Sequence, residues 1–234
     1  MDVIKYNNLY KIYYIFISPV TQERNQVRNL TRAAALVSGD GAKLQSILDA
    51  IYFGEIPEFE LVAVISSDKN ANAMKRAASS KIPSFVVDPT LFPTITSHSM
   101  AVANKLKDMD VDLVILAGYN LDLGVIPYQY KNRMIGTFPS LIPAFDDVED
   151  GDIFRAALER GVKITGATAY FADNDGRVGN IILQKAVNIL SEDTPETLAR
   201  RVMEDAEWEL LPEAVRLYCE GKLSIHGSRV VIEK

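Results

Sequence analysis

The sequence is poor in the residues that build most metal and redox sites. Of 234 residues, one is a cysteine and two are histidines. The single thiol, Cys219, excludes an internal disulfide and a cysteine-built zinc site. His98 and His226 stand far apart in the chain, so a histidine-based site would need the fold to bring them together. No metal is expected. An excess of basic charge is also missing: 25 Lys and Arg face 31 Asp and Glu, for a net charge of −6. No broad positive field is available for nucleic acid. Long hydrophobic runs are absent too, since no segment reaches the ~18 apolar residues of a spanning helix. The stretch from Leu9 to Val20 is apolar and rich in Tyr and Ile, but Lys11 interrupts it. It has neither a basic leader nor a small-residue cleavage site, so we expect no signal peptide, no membrane anchor and a cytoplasmic location by default. Its β-branched and aromatic content would suit an extra strand or a sticky extension.

What remains is the composition of a soluble globular protein, 48% hydrophobic and 24% charged, and long enough to bury a sizeable core. From Arg32 onward, strand-like and helix-like segments alternate. Ala33–Val37, Leu61–Ile65, Ser84–Val87 and Leu113–Ala117 read as apolar strands. A helix follows the first of them, with Leu44, Ile47, Leu48 and Ile51 on one face. Asn72–Ser80 and Ser97–Met109 read as further helices. Continuously apolar strands separated by helices indicate a parallel sheet covered on both faces. The second half adds a strand at Met134–Phe138, a helix at Asp150–Arg160 stopped by Gly161, and longer strands at Ile164–Phe171 and Ile181–Ile189. Thr194-Pro195-Glu196 marks a helix start. That helix runs to about Glu220, with a bend or break expected at Pro212. Residues 1–31 are taken as an N-terminal extension and 32–234 as one α/β domain.

Two stretches point to a ligand. The first is Ser38-Gly39-Asp40-Gly41-Ala42-Lys43, between a predicted strand and helix. Glycines there let backbone N–H groups approach a phosphate at the helix N-terminus. A plain strand–helix turn is the alternative reading of the same residues. Lys43 can neutralise a phosphate as a point charge, whereas Asp40 opposes an anion. The second, through the resemblance given below, is Met134 to Pro143, M-I-G-T-F-P-S-L-I-P, followed by the acidic loop Ala144–Asp152. Five acids in nine residues disfavour an anionic ligand there. The plain alternative is a solvated loop with an acid cluster at a helix N-terminus.

These stretches, with L-V-S-G-x-G-x-x-L-Q (Leu36–Gln45), V-I-S-S (Val64–Ser67), L-V-I-L-A-G (Leu113–Gly118), P-S-L-I-P (Pro139–Pro143), G-A-T (Gly166–Thr168) and I-I-L-Q (Ile181–Gln184), resemble folate-dependent formyltransferases. The nearest likeness is the phosphoribosylglycinamide formyltransferase family of purine synthesis. The resemblance covers about Arg32 to Gly227. It implies a formyltransferase-type Rossmann-like sheet, mostly parallel, with helices on both faces and an antiparallel C-terminal portion. It also implies 10-formyltetrahydrofolate as co-substrate and a ribonucleotide phosphate as ligand. The phosphate would sit at Gly39, Asp40, Gly41, Ala42 and Lys43. The folate pocket would be formed by Leu116, Ala117, Gly118, Tyr119, Asn120 and Leu121. A homodimer, or pairing with an intact active paralogue, fits the same resemblance.

The resemblance fails at the chemistry. The family's Asn-x-His stabilises the tetrahedral oxyanion and moves a proton, with help from an Asp. Those slots fall at Gly136, Phe138 and, counting back without gaps from Ile181, Arg177. A two-residue slip would offer Asp175 in place of Arg177. Tyr119, Asn120 and Tyr170 are other candidate donors, and Thr137 and Ser140 are hydroxyls without an evident base. The resemblance therefore implies a family member whose formyl transfer is severely impaired or lost. Two alternatives are a diverged enzyme using substitute residues and an N-formyltransferase acting on another amine.

Overall fold

The computed structural model describes residues 30–148 and 150–233. Expectations for the Leu9–Val20 stretch lie outside them. In chain order the elements are β1 (Thr31–Val37), α1 (Ala42–Tyr52), β2 (Phe59–Ser66), α2 (Asn72–Ser79), β3 (Ser84–Val86), α3 (Ile95–Asp108), β4 (Leu113–Leu116), the short α4 (Ile126–Gln129) and β5 (Met134–Phe138). Then come α5 (Ile153–Glu159), β6 (Ile164–Ala172), β7 (Val178–Asn188), α6 (Pro195–Val202), a π-helical segment (Met203–Glu207), α7 (Trp208–Cys219), β8 (Leu223–His226) and β9 (Arg229–Ile232).

One seven-stranded sheet carries the order β3-β2-β1-β4-β5-β6-β7. The strands from β3 to β5 pair in parallel, and β6 and β7 join antiparallel. β1 shows why both faces are covered. Ala33, Ala35 and Val37 join one core with Leu44, Ile47, Leu198 and Leu211. Ala34 and Leu36 join another with Val102, Leu106 and Ile126. Period-two alternation on a doubly covered strand thus serves two cores at once. Among the described residues, no helix is long and apolar enough to cross a membrane.

Three expectations change. The long C-terminal helix is not broken at Pro212, which sits inside the continuous α7. The irregularity lies earlier, at Met203–Glu207, where wider i→i+5 bonding inserts one residue's worth of rotation. β7 begins at Val178 rather than Ile181, because Asp173 closes a tight turn. Its backbone exchanges hydrogen bonds with Arg177 and Gly176. The chain also closes with a β8–β9 hairpin that was not among the expected strands, with His226 on β8.

The α6 start predicted from Thr194-Pro195 is present as a capping box with Thr197. Beside it, the Asp193 carboxylate is 1% exposed and takes both Arg201 terminal nitrogens, at 2.6 and 2.5 Å. Those bonds, reinforced by the Leu190 N–H and Thr197, hold its pKa down to about 2 despite burial. A depressed native pKa means stability that is present at neutral pH and lost as pH falls from about 4, where the unfolded carboxylate protonates, through about 2. Asp193→Asn should lower Tm at pH 7, and its deficit against wild type should shrink toward pH 2. Thermal melts across that range check this, and a deficit independent of pH would contradict it.

Candidate active site

The strand order reverses between β1 and β4, so their carboxyl ends open a crevice of the kind that binds ligands in α/β sheets. The two loops leaving these strands are laced together. Ser38 N–H donates to Gly118 O at 2.9 Å, the Asn120 N–H donates to Ser38 Oγ at 3.1 Å, and Ser67 Oγ donates to Ser38 Oγ at 2.8 Å.

On the β1 side, Gly41 takes φ 77° as the residue preceding α1. A Cβ there would stand 2.7 Å from Ala73 Cα, so only glycine lets the loop lie against α2. Arg76 braces the loop by donating to Asp40 O at 3.0 Å, to Gln45 Oε1 at 3.0 Å and to Asp40 Oδ2 at 3.3 Å. The Asp40 carboxylate is therefore partly neutralised by α2. Of the loop residues Gly39, Asp40, Gly41, Ala42 and Lys43, Lys43 is the one that lines the adjoining cleft.

That cleft has a volume of about 590 Å³ and is walled by β4, β5, β6 and the loops between them. Of the residues assigned to a folate pocket, Leu116, Gly118, Tyr119 and Leu121 line this cleft. Ala117 and Asn120 do not. Ala117 belongs to the buried core, because on this strand it faces the opposite side of the sheet from Leu116. Burial pushes the Tyr119 phenol up to about 12, so it stays protonated at neutral pH and can donate but not act as a base.

Gly136, Phe138 and Arg177 are brought together around the cleft. Phe138 and Arg177 line it, as does Asp175. Gly136 lies beneath the wall, paired across the sheet with Tyr170. A Cβ on Gly136 would stand 3.1 Å from Leu116 Cβ, 3.2 Å from Tyr170 Oη and 3.3 Å from Tyr170 Cζ. A side chain at position 136 would thus be crowded by Leu116 of β4 and Tyr170 of β6. Asp173 Oδ1 accepts the N–H of Asp175 at 2.9 Å and of Arg177 at 2.8 Å, which fixes the backbone of the Arg177 slot. Asp122, Asp146, Asp173 and Asp175 line the cleft against Lys43 and Arg177, so carboxylates outnumber cations there. Ser140 is turned away, donating to Ala144 O at 2.6 Å. His98 is buried outside the cleft with Nε2 2.9 Å from Val87 O, and His226 is exposed on β8.

Sequence reasoning missed Glu207. Its carboxylate is 3% exposed, accepts from Thr137 Oγ1 at 2.8 Å and pairs with Lys43 Nζ at 2.6 Å. Glu207 shares a helical face with the buried Leu210, Leu211 and Ala214, three, four and seven residues further on. Lys43, expected to serve a phosphate, pairs with this carboxylate and donates to Thr137 O at 3.3 Å.

Fold and cleft together define an α/β protein with a ligand crevice at the switch point of a mostly parallel sheet. The formyl transferase family profile matches residues 31–215, and the chain belongs to that family. Among solved structures, glycinamide ribonucleotide transformylase 1 from Symbiobacterium toebii superposes with a TM-score of 0.83 at 39% identity, covering 88% of this chain and 95% of that one. Phosphoribosylglycinamide formyltransferase from Haemophilus influenzae is 30% identical over 205 residues, 87% of this chain and 94% of that protein. The trifunctional purine biosynthetic protein adenosine-3 of Drosophila pseudoobscura is 34% identical over 195 residues. That match spans 82% of this chain and 14% of that relative's length. The chain is thus a phosphoribosylglycinamide formyltransferase-like protein with the expected Rossmann-like sheet and antiparallel end.

Proposed function

We propose that this protein keeps the ligand cleft of a phosphoribosylglycinamide formyltransferase while its formyl transfer is severely impaired or lost. The observation that carries the reading is the content of the three slots. Gly136 offers no donor, Phe138 cannot carry a proton, and Arg177 replaces an acid with a cation. Transfer of a formyl group to an amine builds negative charge on the formyl oxygen and requires a proton to leave the amine. Removal of one oxyanion donor costs about 10²–10³ in rate. Loss of general acid–base help costs about 10²–10⁴. The two are not simply multiplicative.

The cleft volume of about 590 Å³ falls within the ordinary range for small-molecule sites. Leu116, Leu121, Leu123 and Val148 give it an apolar wall against which a flat heterocycle such as the folate pterin would pack. The ligands we assign to it are 10-formyltetrahydrofolate and a ribonucleotide phosphate. We expect tetrahydrofolate release from 10-formyltetrahydrofolate and glycinamide ribonucleotide at least about 10³-fold below that of the Haemophilus influenzae relative assayed alongside. Equal turnover would contradict the proposal.

One observation favours a second reading, a diverged enzyme. Tyr170 fills the Asn slot with a phenol, a group that can donate to an oxyanion. Should turnover be found, Tyr170→Phe should abolish most of it.

A further inference from the structure

We infer that the groove between α1 and α7 is a docking site for this chain's own N-terminal stretch, Leu9–Val20. The groove has a volume of about 470 Å³ and shares no lining residue with the cleft, so the inference is independent of what the cleft does.

Large apolar side chains stand open around it. α1 contributes Ala50 and Phe53, the turn after it Ile56, and α7 Trp208 and Pro212. Phe53 is 71% exposed and Trp208 42%. Tyr52, set edge-on against Phe53 with ring centroids 5.2 Å apart, is 84% exposed. Single exposed apolar residues are ordinary on a protein surface, but aromatics gathered at one groove mark an interaction site.

Three observations say what covers it. The first is where the chain enters the sheet. Thr31 opens β1, its N–H donates to Glu58 O at 2.6 Å, and its side chain is hydrogen-bonded to Cys219. Glu58 closely follows the groove residues Glu55 and Ile56, and Cys219 lies one helical turn beyond Arg216, which also lines the groove. Both walls therefore end near the point from which the preceding chain departs. The second is length. The nine residues of 21–29 span up to about 30 Å when extended, against about 12 Å from Trp208 to Arg216 along α7. So short a tether keeps the stretch at high effective concentration over the groove, which favours it over a second copy. The third is complementarity. Leu9–Val20 carries Tyr10, Tyr13, Tyr14 and Phe16, and aromatic pairs add to the gain from burial alone. Its one charge is Lys11. At the groove, Glu213 pairs with Arg216 and Glu209 with Lys185, whereas Asp49 and Glu55 have no ion pair among the described residues. A lysine brought in with the stretch finds a carboxylate there.

Trp208 is the chain's single tryptophan, so its fluorescence reports on the groove directly. In the full chain, acrylamide should quench Trp208 at least about twofold less than in Ile12→Asp/Phe16→Asp, which releases the stretch and lets water reach the indole. Conversely, chymotrypsin, which cuts after aromatic residues, should cleave within Leu9–Val20 at least about tenfold faster in Tyr52→Asp/Phe53→Asp than in wild type, because cleavage follows the undocked population. Tyr52 and Phe53 are exposed, so their replacement leaves the core intact. Both differences should persist across about a hundredfold dilution of the protein. Equal quenching in wild type and Ile12→Asp/Phe16→Asp would overturn the proposal, as would equal cleavage rates. Protection lost on dilution would assign the groove to a second copy and overturn it too.

Discussion

Putting the family's residues back at all three slots, as Gly136→Asn with Phe138→His and Arg177→Asp, is expected to restore nothing by itself. The reason is Tyr170. A Cβ at position 136 already comes within 3.2 Å of the Tyr170 hydroxyl and 3.1 Å of Leu116 Cβ, so Tyr170 would have to shift to admit an Asn side chain. Overpacking of this kind typically costs about 1–3 kcal/mol and displaces the inserted side chain from its working position. Adding Tyr170→Ala vacates the slot. The fourfold variant should then exceed the triple by at least about 100-fold in tetrahydrofolate release, the scale of one restored oxyanion donor. A triple variant that gains as much alone would show that β6 yields easily and that Tyr170 is not the obstacle. A fourfold variant that still gains nothing would move the defect to ligand binding, with Lys43 in the floor and the acidic rim as its nearest causes.

The second large effect concerns folding. Gly166 lies on β6 opposite Ala186 of β7. A Cβ at Gly166 would collide with the Lys185 carbonyl oxygen and come within 2.9 Å of Leu141 Cδ2 and of the Lys185 carbonyl carbon. Two of those three atoms are backbone of the neighbouring strand, so no rotamer change relieves the contact. Gly166→Ala should cost more than about 4 kcal/mol, the range reserved for a specific structural break. Gly39→Ala is the control. A Cβ at Gly39 meets nothing within 4 Å, and the change should stay within about 0.5 kcal/mol of wild type. Urea unfolding of both variants measures the difference. Similar values for the two would mean that the β6–β7 pairing adjusts more readily than the contacts allow.

The same contacts show why parts of the molecule were legible in the sequence and others were not. The parallel half could be read because Leu113–Leu116 and Ala33–Val37 are apolar throughout, as strands buried on both faces must be. The start of α6 was legible because Thr194 and Pro195 signal a helix by local chemistry alone. Phe138 and Arg177 could be singled out because a motif carries its own spacing, and both line the cleft. Glu207 was not, since a glutamate on the apolar face of a helix does not name its partners, and Thr137 and Lys43 are distant in sequence. Tyr170 could be named as a neighbour but not as the occupant of the Gly136 slot, because that follows from cross-strand register. The fate of Lys43 was hidden for a related reason. A lysine beside a glycine loop suggests an anion partner, and the partner that claims it is distant in sequence, on the C-terminal helical stretch.

We propose that the cleft of this formyl transferase family member no longer has the groups needed to move a formyl unit. The most direct test is single turnover with the protein in excess over 10-formyltetrahydrofolate and glycinamide ribonucleotide, which reads chemistry without the contribution of product release. The account predicts formyl transfer at least about 10³-fold slower than in the Haemophilus influenzae relative under the same conditions. Transfer at the relative's rate would contradict it and would show that Tyr170, Asp175 or another cleft group does the work of the missing residues.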